Sequence, residues 1–160
     1  MCGLFGALSF TNQGIDKRLA QAMSEKVARR GPDDKGEWFD GPVMLGHRRL
    51  SIIDLSAAGH QPMHDVQQRF SIVFNGTIYN YPELREELLT KGYQFHSHSD
   101  TEVILNAYAC WGEHCSEKLT GMFAFAIWDK QRQSLFLARD RLGIKPLYFA
   151  KTLTAFYFAS

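Results

Sequence analysis

Short β-prone runs separated by tight turns make up most of the sequence and restrict the fold that it can adopt. Gly, Pro and Asp residues lie between these runs, and only three stretches have helical features. The order of strands, helices and further strands lacks the regular strand–helix alternation of a parallel sheet. We therefore predict a sheet-rich α+β domain. The predicted strands are residues 3–10, 36–40, 43–47, 50–54, 70–75, 77–80, 122–128, 134–139, 146–150 and 155–159.

The first helical stretch has an apolar residue at every fourth position, which is the stripe of an amphipathic helix. The residues of this stripe are Ile15, Leu19, Met23 and Val27. We expect Asn12 or Gln13 to cap this helix and Gly31 to end it together with the following proline. Two further helices are predicted over residues 82–91 and from about 101 to 111.

Composition and charge exclude several classes of partner. The 160 residues have a net charge of +1, which gives no electrostatic basis for binding nucleic acid or an anionic membrane. No apolar run approaches the roughly 18 residues of a membrane-spanning helix, and the N-terminus lacks the basic leader of a signal peptide. Three cysteines are too few and too unevenly spaced for a disulfide framework, so we predict a reduced, cytoplasmic protein.

The C-terminal residues TAFYFAS end in an aromatic, strand-like stretch. A domain rarely ends where its pattern still requires burial. We therefore expect the chain to be the N-terminal piece of a longer protein.

Cys2 directly follows the initiator methionine and is small enough for Met1 to be removed. Removal would put a thiol and an α-amine on one residue. An α-amine has a reference pKa of about 7.7–8.0, so part of it is neutral near neutral pH and can act as the general base for a thiol. Taken alone, Cys2 is better explained as a small apolar packing residue.

The segment FNGTIYN, residues 74–80, allows two interpretations. Asn-Gly between β-prone runs is a strong hairpin signal, and alone it favours a turn. Alternatively, the Asn75 side-chain amide and the Gly76 backbone N–H could form two donors for a developing oxyanion.

Two further segments could bind charged groups. Arg49, in HRRLSIID, could hold a carboxylate through two hydrogen bonds, although a solvated sheet edge explains it better in isolation. In HSHSDTE, Asp100 could accept from an ammonium group; a zinc site formed with His96 and His98 is the lowest-ranked alternative. A nucleophile with its own base, an oxyanion hole, a cation and an anion together suit acyl transfer on a zwitterionic amino acid.

Motifs along nearly the whole chain, taken in order, resemble class II glutamine amidotransferase domains. More narrowly, they resemble the N-terminal half of glutamine-dependent asparagine synthetases. The motifs are CGLFG (2–6), RRGPDD (29–34), HRRLSIIDLS (47–56), GHQPM (59–63), FNGTIYNY (74–81), SDTEVI (99–104), GMFAFAIWD (121–129) and LARDRLGIKPLY (137–148).

The resemblance implies an N-terminal nucleophile hydrolase fold over residues 1–160, a four-layer αββα sandwich of two antiparallel sheets. It implies that glutamine is hydrolysed through a γ-glutamyl thioester on Cys2, with the oxyanion held by Asn75 and Gly76. The substrate carboxylate would be held by Arg49 and its ammonium by Asp100. The implied substrate-binding residues also include Ile53, whose backbone would line the pocket.

The resemblance also sets the expected partners. Ammonia would pass to a C-terminal ATP-dependent synthetase domain of the same chain, and a homodimer is a further expected assembly. No cofactor or metal is implied for this domain, because ATP and Mg²⁺ would be needed only in the synthetase domain. A non-catalytic glutamine-binding or docking module is the alternative function, and it predicts that Met1 is retained.

Thr77 departs from the family pattern, which reads NGEIYN where this chain reads NGTIYN. The family Glu also binds the substrate ammonium, and loss of such a charge-assisted bond is worth on the order of 1.5–3 kcal/mol. We therefore predict weaker glutamine binding than in a Glu-bearing relative. The uncharged residue, together with NYPELR, also resembles N-acetylglutaminylglutamine amide synthetases.

Overall fold

The computed structural model describes residues 1–11, 13–51 and 57–160. Within these ranges the chain forms two antiparallel sheets and four α-helices. The strands are β1 (Gly3–Ser9), β2 (Asp34–Asp40), β3 (Val43–Arg49), β4 (Met63–His64), β5 (Phe70–Ile78), β6 (Gly121–Asp129), β7 (Ser134–Arg139), β8 (Tyr148–Lys151) and β9 (Ala155–Ala159). The helices are α1 (Lys17–Lys26), α2 (Tyr81–Thr90), α3 (Asp100–Trp111) and α4 (Cys115–Lys118).

The five-stranded sheet has the order β2-β3-β1-β9-β8, and the four-stranded sheet has the order β4-β5-β6-β7. The first strand of the chain is therefore central in its sheet. In its pairing with β3, Gly3 lies opposite Arg48. The start of β1 and the end of β3 are thus at the same edge of the sandwich.

Three hydrophobic clusters divide the molecule into four layers. Alternation along β1 directs Leu4 into the cluster between the two sheets and Phe5 to the opposite face, where α1 contributes Ala20. The third cluster joins the outer face of the four-stranded sheet to α2 and α3, with Leu88 and Ile104 fully buried. The predicted α+β sandwich, with helices outside both sheets, is confirmed.

The local preference for a hairpin at Asn75 and Gly76 is wrong. Both lie inside the continuous strand β5, where Asn75 pairs with Ala124 and Gly76 with Phe123 of β6. A Cβ at position 76 would lie 2.2 Å from the Met122 carbonyl oxygen, so the close approach of β6 requires glycine here. Non-local pairing along all of β5 thus overrides the short-range turn signal.

The predicted start and end of the first helix are also wrong. α1 spans Lys17–Lys26, and its N-cap is Asp16, whose side chain accepts from the Arg18 N–H at 2.8 Å. Gln13 lies before this cap, and Asn12 lies outside the described residues. A 3₁₀ turn (Ala28–Arg30) follows the helix and precedes Gly31. An apolar repeat locates the buried face of a helix and leaves its ends undefined.

The remaining boundaries differ less from the prediction. β2 begins two residues earlier than predicted, and the two-residue strand β4 has no counterpart in the predicted set. The predicted strand 50–54 is not formed at residues 50 and 51, and its remainder lies outside the described residues. β8 begins at Tyr148, two residues later than predicted.

Candidate active site

A cavity of about 220 Å³ opens at the edge of the sandwich where β1 begins and β3 ends. Parts of β5 and β6, the start of α3, Gln61 between β3 and β4, and the loop between β7 and β8 also line it. Every predicted site residue that the structure describes lines this cavity, whereas Ile53 lies outside the described residues. The predicted residues that line it are Cys2, Arg49, Asn75, Gly76, Thr77 and Asp100.

Cys2 is held at the cavity by backbone groups of the segment after β3. Its Sγ accepts a hydrogen bond from the Leu50 N–H at 3.3 Å and lies 3.5 Å from the Leu50 carbonyl oxygen, to which it can donate. The Arg30 Nε donates to the Cys2 carbonyl oxygen at 3.1 Å. These contacts fix the backbone and the sulfur of Cys2 without a histidine or carboxylate partner among the described residues.

Arg49 is the last residue of β3 and is buried in the cavity wall. Its ladder partner is Asp34, the first residue of β2. Burial alone would raise the pKa of Asp34, but a hydrogen bond from His60 and the Arg49 charge hold that pKa below its usual range. The guanidinium therefore brings a positive charge to the start of β2 and to the cavity beside Cys2.

Asn75 presents an unusual buried amide. Its side chain is 1% exposed, and in the described part of the chain its Nδ2 has no hydrogen-bond partner. An unpaired buried donor costs about 1–3 kcal/mol, so such groups are rare without a functional reason. Because Asn75 lines the same cavity as Cys2, this amide is a candidate donor to an oxygen atom of a bound ligand.

Asp100 is the first residue of α3, which is capped by the Ser99 side chain. Its Oδ2 accepts from the Ile78 N–H at the end of β5, at 3.0 Å. Burial raises the pKa of Asp100 to about 6, although backbone hydrogen bonds oppose this shift. A buried carboxyl group with a raised pKa gains from a ligand cation, which would favour its ionised form.

Sequence reasoning assigned no site role to Gln61 or Lys145, both buried residues of the cavity lining. The Gln61 Oε1 accepts from the Phe74 N–H at 2.6 Å, and its Nε2 donates to the Thr101 Oγ1 at 3.2 Å. Gln61 therefore ties β5 to α3 directly behind the cavity. Gln61 lies in the motif GHQPM and Lys145 in LARDRLGIKPLY. Both motifs were used only to establish the family resemblance, although a polar residue inside each could have indicated a site role.

Two further histidines, His47 and His60, have separate local roles. His47 is buried, its Nε2 lies 3.0 Å from the Phe74 carbonyl oxygen, and burial lowers its pKa to about 4. Outside the cavity, His60 lies 2.6 Å from Asp34. A neutral His47 beneath β5 supports the strand and adds no charge to the site.

The zinc alternative finds no support in the described ranges. His96 and His98 are exposed, whereas Asp100 is buried and bonded to β5. No group of three His, Cys, Asp or Glu side chains within those ranges could hold a metal ion.

None of the described helices is long and apolar enough to cross a membrane.

The whole chain, residues 1–160, matches the family model described as a glutamine amidotransferase domain. The chain belongs to the glutamine amidotransferase domain family. Its position 2 cysteine, the Asn-Gly pair of β5 and the acid at the start of α3 therefore lie in a cavity of an amidotransferase domain. The resemblance to this family is confirmed.

Curated relatives narrow the comparison to asparagine synthetases. The chain is similar to asparagine synthetase [glutamine-hydrolyzing] 3 of Bacillus subtilis, at 42% identity over all of this chain and 26% of the relative. It is 45% identical to asparagine synthetase [glutamine-hydrolyzing] 1 of the same organism, with the same coverage. The amidotransferase domain thus spans about a quarter of the length of these relatives. The narrower resemblance to N-acetylglutaminylglutamine amide synthetases stays a prediction.

One solved structure supports the fold. The glutamine phosphoribosylpyrophosphate amidotransferase from B. subtilis, complexed with ADP and GMP, superposes with a TM-score of 0.82 over 99% of this chain and 41% of that one. Their sequence identity is 19%, so this likeness concerns the fold alone.

Proposed function

We propose that this domain hydrolyses glutamine to glutamate and ammonia through a γ-glutamyl thioester on Cys2. The observation that carries the proposal is the unpaired Asn75 amide, which shares one cavity with the Cys2 thiol. A tetrahedral intermediate formed at the sulfur would supply the oxygen anion that this donor lacks. The Gly76 backbone is the second group proposed to contact that oxygen.

The proposed reaction has two stages. Once Met1 is removed, the Cys2 α-amine takes the thiol proton, and the sulfur attacks the side-chain carbonyl carbon of glutamine. The protonated amine then donates to the leaving nitrogen, ammonia departs and the thioester remains. Water activated by the same amine attacks the thioester, and glutamate and the thiol are released.

Opposite charges in the cavity fit the two ends of the amino acid. Arg49 is proposed to bind the α-carboxylate of glutamine, and Asp100 its α-ammonium. Ile53 stays a proposed backbone contact outside the described residues. Thr77, which is half-buried in the cavity wall, can offer only a hydroxyl where the family pattern has a carboxylate.

The use of the released ammonia is inferred from the names and lengths of the relatives. Both B. subtilis relatives are named asparagine synthetases, and this domain covers 26% of each. We infer that a C-terminal synthetase domain of the same chain would receive ammonia and use ATP and Mg²⁺ to form an amide. A cytoplasmic location and a homodimer also stay predictions.

A second candidate is a non-catalytic glutamine-binding or docking module. This candidate requires Met1 to stay at the cavity, where its Sδ lies 3.2 Å from the Lys145 Nζ. A retained Met1 would block the base that the reaction needs, because its peptide bond removes the α-amine of Cys2.

The two candidates are separated by glutaminase assays on protein whose N-terminus is established by intact mass. We expect glutamate formation from protein lacking Met1, and loss of it in Cys2→Ala. Cys110→Ala is the matched control, because Cys110 is half-buried outside the cavity and its loss should leave the rate unchanged. Equal rates in wild type and Cys2→Ala would refute the thioester mechanism.

A further inference from the structure

Lys145 places a buried cation in the wall of the cavity. The residue is 6% exposed, and its Nζ lies 3.2 Å from the Met1 Sδ. A thioether is a weak acceptor, and within the described residues the ammonium forms no salt bridge. Burying a charge without a charged partner is costly, so its position calls for a functional explanation.

The loop between β7 and β8 fixes Lys145 through its backbone. The buried Asp140 carboxylate accepts from the backbone N–H groups of Phe123 at 3.2 Å, Ile144 at 2.8 Å and Lys145 at 2.9 Å. Arg139 donates from its Nε to the Lys145 carbonyl oxygen. Asp140, the acidic residue nearest to Lys145 in the sequence, is thus bonded to backbone N–H groups and forms no hydrogen bond to the Lys145 ammonium.

We propose that Lys145 is a positioning residue whose fixed positive charge keeps the Cys2 α-amine neutral after Met1 has been removed. The ammonium contacts the side chain of the residue that is peptide-bonded to Cys2, so it lies within the reach of one methionine side chain and one hydrogen bond from the new amine. A nearby like charge disfavours protonation of an amine. The amine therefore stays able to accept the thiol proton. This inference rests on the proposed function, since it concerns the base of that reaction.

The other charges around Cys2 act from different positions. Arg30 is bonded to the Cys2 carbonyl oxygen, and Arg49 lines the cavity at the end of β3. Asp100, on α3, opposes the effect of the cations until a substrate ammonium neutralises it, and Asp140 lies behind Lys145. The Lys145 ammonium differs from these groups because it contacts the residue whose removal creates the base.

A competing role for Lys145 is direct binding of the substrate carboxylate. That role predicts a raised KM for glutamine in Lys145→Met and an unchanged pH dependence. The positioning role predicts a displaced pH dependence, which is also measurable in the absence of glutamine. The two roles therefore differ in their readouts.

The test compares the processed wild type with Lys145→Met, Lys145→Arg and Lys151→Met. Lys151→Met is the matched control, since it removes an exposed lysine of β8 that does not line the cavity. Iodoacetamide alkylation of Cys2 is followed by peptide mass spectrometry across pH, and kcat/KM for glutamine is measured over the same range.

In Lys145→Met, we expect the midpoint of Cys2 alkylation and the acid limb of kcat/KM to move up by about one pH unit. Lys145→Arg should restore both, and Lys151→Met should leave both in place. Thermal melting establishes that each variant folds, and Lys145→Gln replaces Lys145→Met if the latter does not.

An unmoved midpoint in any folded neutral variant overturns the role of Lys145, as does a raised KM with no displacement. The proposed function fails separately, if the processed wild type shows no Cys2-dependent glutaminase activity. Alkylation needs no glutamine, so a displaced midpoint would still support the influence of Lys145 on Cys2 in that case.

Discussion

The two walls of the cavity differ in charge and in how they are made. The cationic wall carries Cys2, Arg49 and Lys145 and comes from the five-stranded sheet and the β7–β8 loop. The amide wall carries Asn75 and Asp100 and comes from the four-stranded sheet and α3. Folding alone positions the groups of the amide wall, whereas the base proposed for the cationic wall would form only when the bond before Cys2 is cleaved.

Without a ligand, each wall also holds buried polar or charged groups that lack a matching partner. The amide wall holds an unpaired donor at Asn75 and a carboxyl group whose pKa is raised to about 6 by burial. The cationic wall holds the Lys145 ammonium against a thioether. A zwitterionic substrate with a developing oxyanion supplies a partner for the donor and for the carboxyl group. The comparison predicts that changes on the two walls alter different kinetic constants.

The largest expected effect comes from blocking the base on the cationic wall. Protein with an uncleaved N-terminal tag keeps the Cys2 thiol and loses its α-amine, and we expect its glutaminase kcat to fall by about 10²–10⁴-fold. Proteolytic removal of the tag to leave Cys2 first should restore the rate. A tagged protein as active as the trimmed one would show that the base lies elsewhere.

Removal of the oxyanion donor comes next. Asn75→Ala should lower kcat by about 10²–10³-fold, because the amide acts on charge that develops in the transition state. The free energy of unfolding should not fall through loss of a hydrogen bond, because the variant removes a buried donor that has no partner and whose burial is itself costly.

Asn80→Ala is the converse control for Asn75. The Asn80 side chain donates to the Lys118 carbonyl oxygen and accepts from the Thr120 N–H, both at 2.9 Å. We expect this variant to lose about 1–2 kcal/mol of unfolding free energy and to keep its kcat. An Asn75→Ala enzyme with wild-type kcat would remove the amide wall from the chemistry.

Asp100→Asn should act on binding and raise the KM for glutamine by about 10–100-fold, the scale of a charged hydrogen bond. Wild-type affinity should weaken as pH falls through about 6, the pKa of Asp100, because the protonated acid cannot pair with an ammonium. The variant should lack this dependence. Asp16→Asn is the control, since asparagine also caps a helix.

Asp100 also predicts the sign of a stability change. Its folded pKa, about 6, lies above the usual value of 3.8, so its contribution is full below about pH 4 and lost as pH rises through 6. At pH 7, Asp100→Asn should therefore raise the unfolding free energy, by up to roughly 3 kcal/mol. Denaturant unfolding at pH 4 and pH 7 measures this, and an equal difference between the two proteins at both values would contradict it.

The smallest effect concerns Thr77. Thr77→Glu adds the carboxylate of the family pattern to the amide wall, and we expect the KM for glutamine to fall by about ten-fold. Thr154→Glu adds the same charge at an exposed turn and should leave the KM unchanged. If both variants bind glutamine like the wild type, position 77 has no part in holding the ammonium.

The amide wall also shows how far the sequence can predict this molecule. The sequence predicted a helix from about residue 101, and α3 begins one residue earlier, at Asp100, after the capping Ser99. Local signals misplaced Asn75 and Gly76 in a turn, because the pairing that makes β5 continuous comes from residues 121–129. The motif resemblance implied that Asn75 and Gly76 hold the oxyanion, but it did not predict that they lie in a continuous strand.

The cationic wall was harder to predict from the sequence. The position of Cys2 was informative because only the second residue can gain an α-amine by loss of the initiator methionine. Nothing in the pattern around Lys145 indicated its burial, which accompanies the binding of Asp140 to one backbone N–H of β6 and two of the β7–β8 loop. The contact with Phe123 joins residues 17 positions apart, so the sequence near Lys145 does not show it.

Intact-mass and peptide analysis after reaction with a glutamine-analogue electrophile tests whether Cys2 is an N-terminal nucleophile. We expect loss of Met1 and a single adduct on the Cys2 peptide, with Cys110 and Cys115 unmodified. A retained Met1 with no adduct, or labelling confined to the other two cysteines, would contradict it.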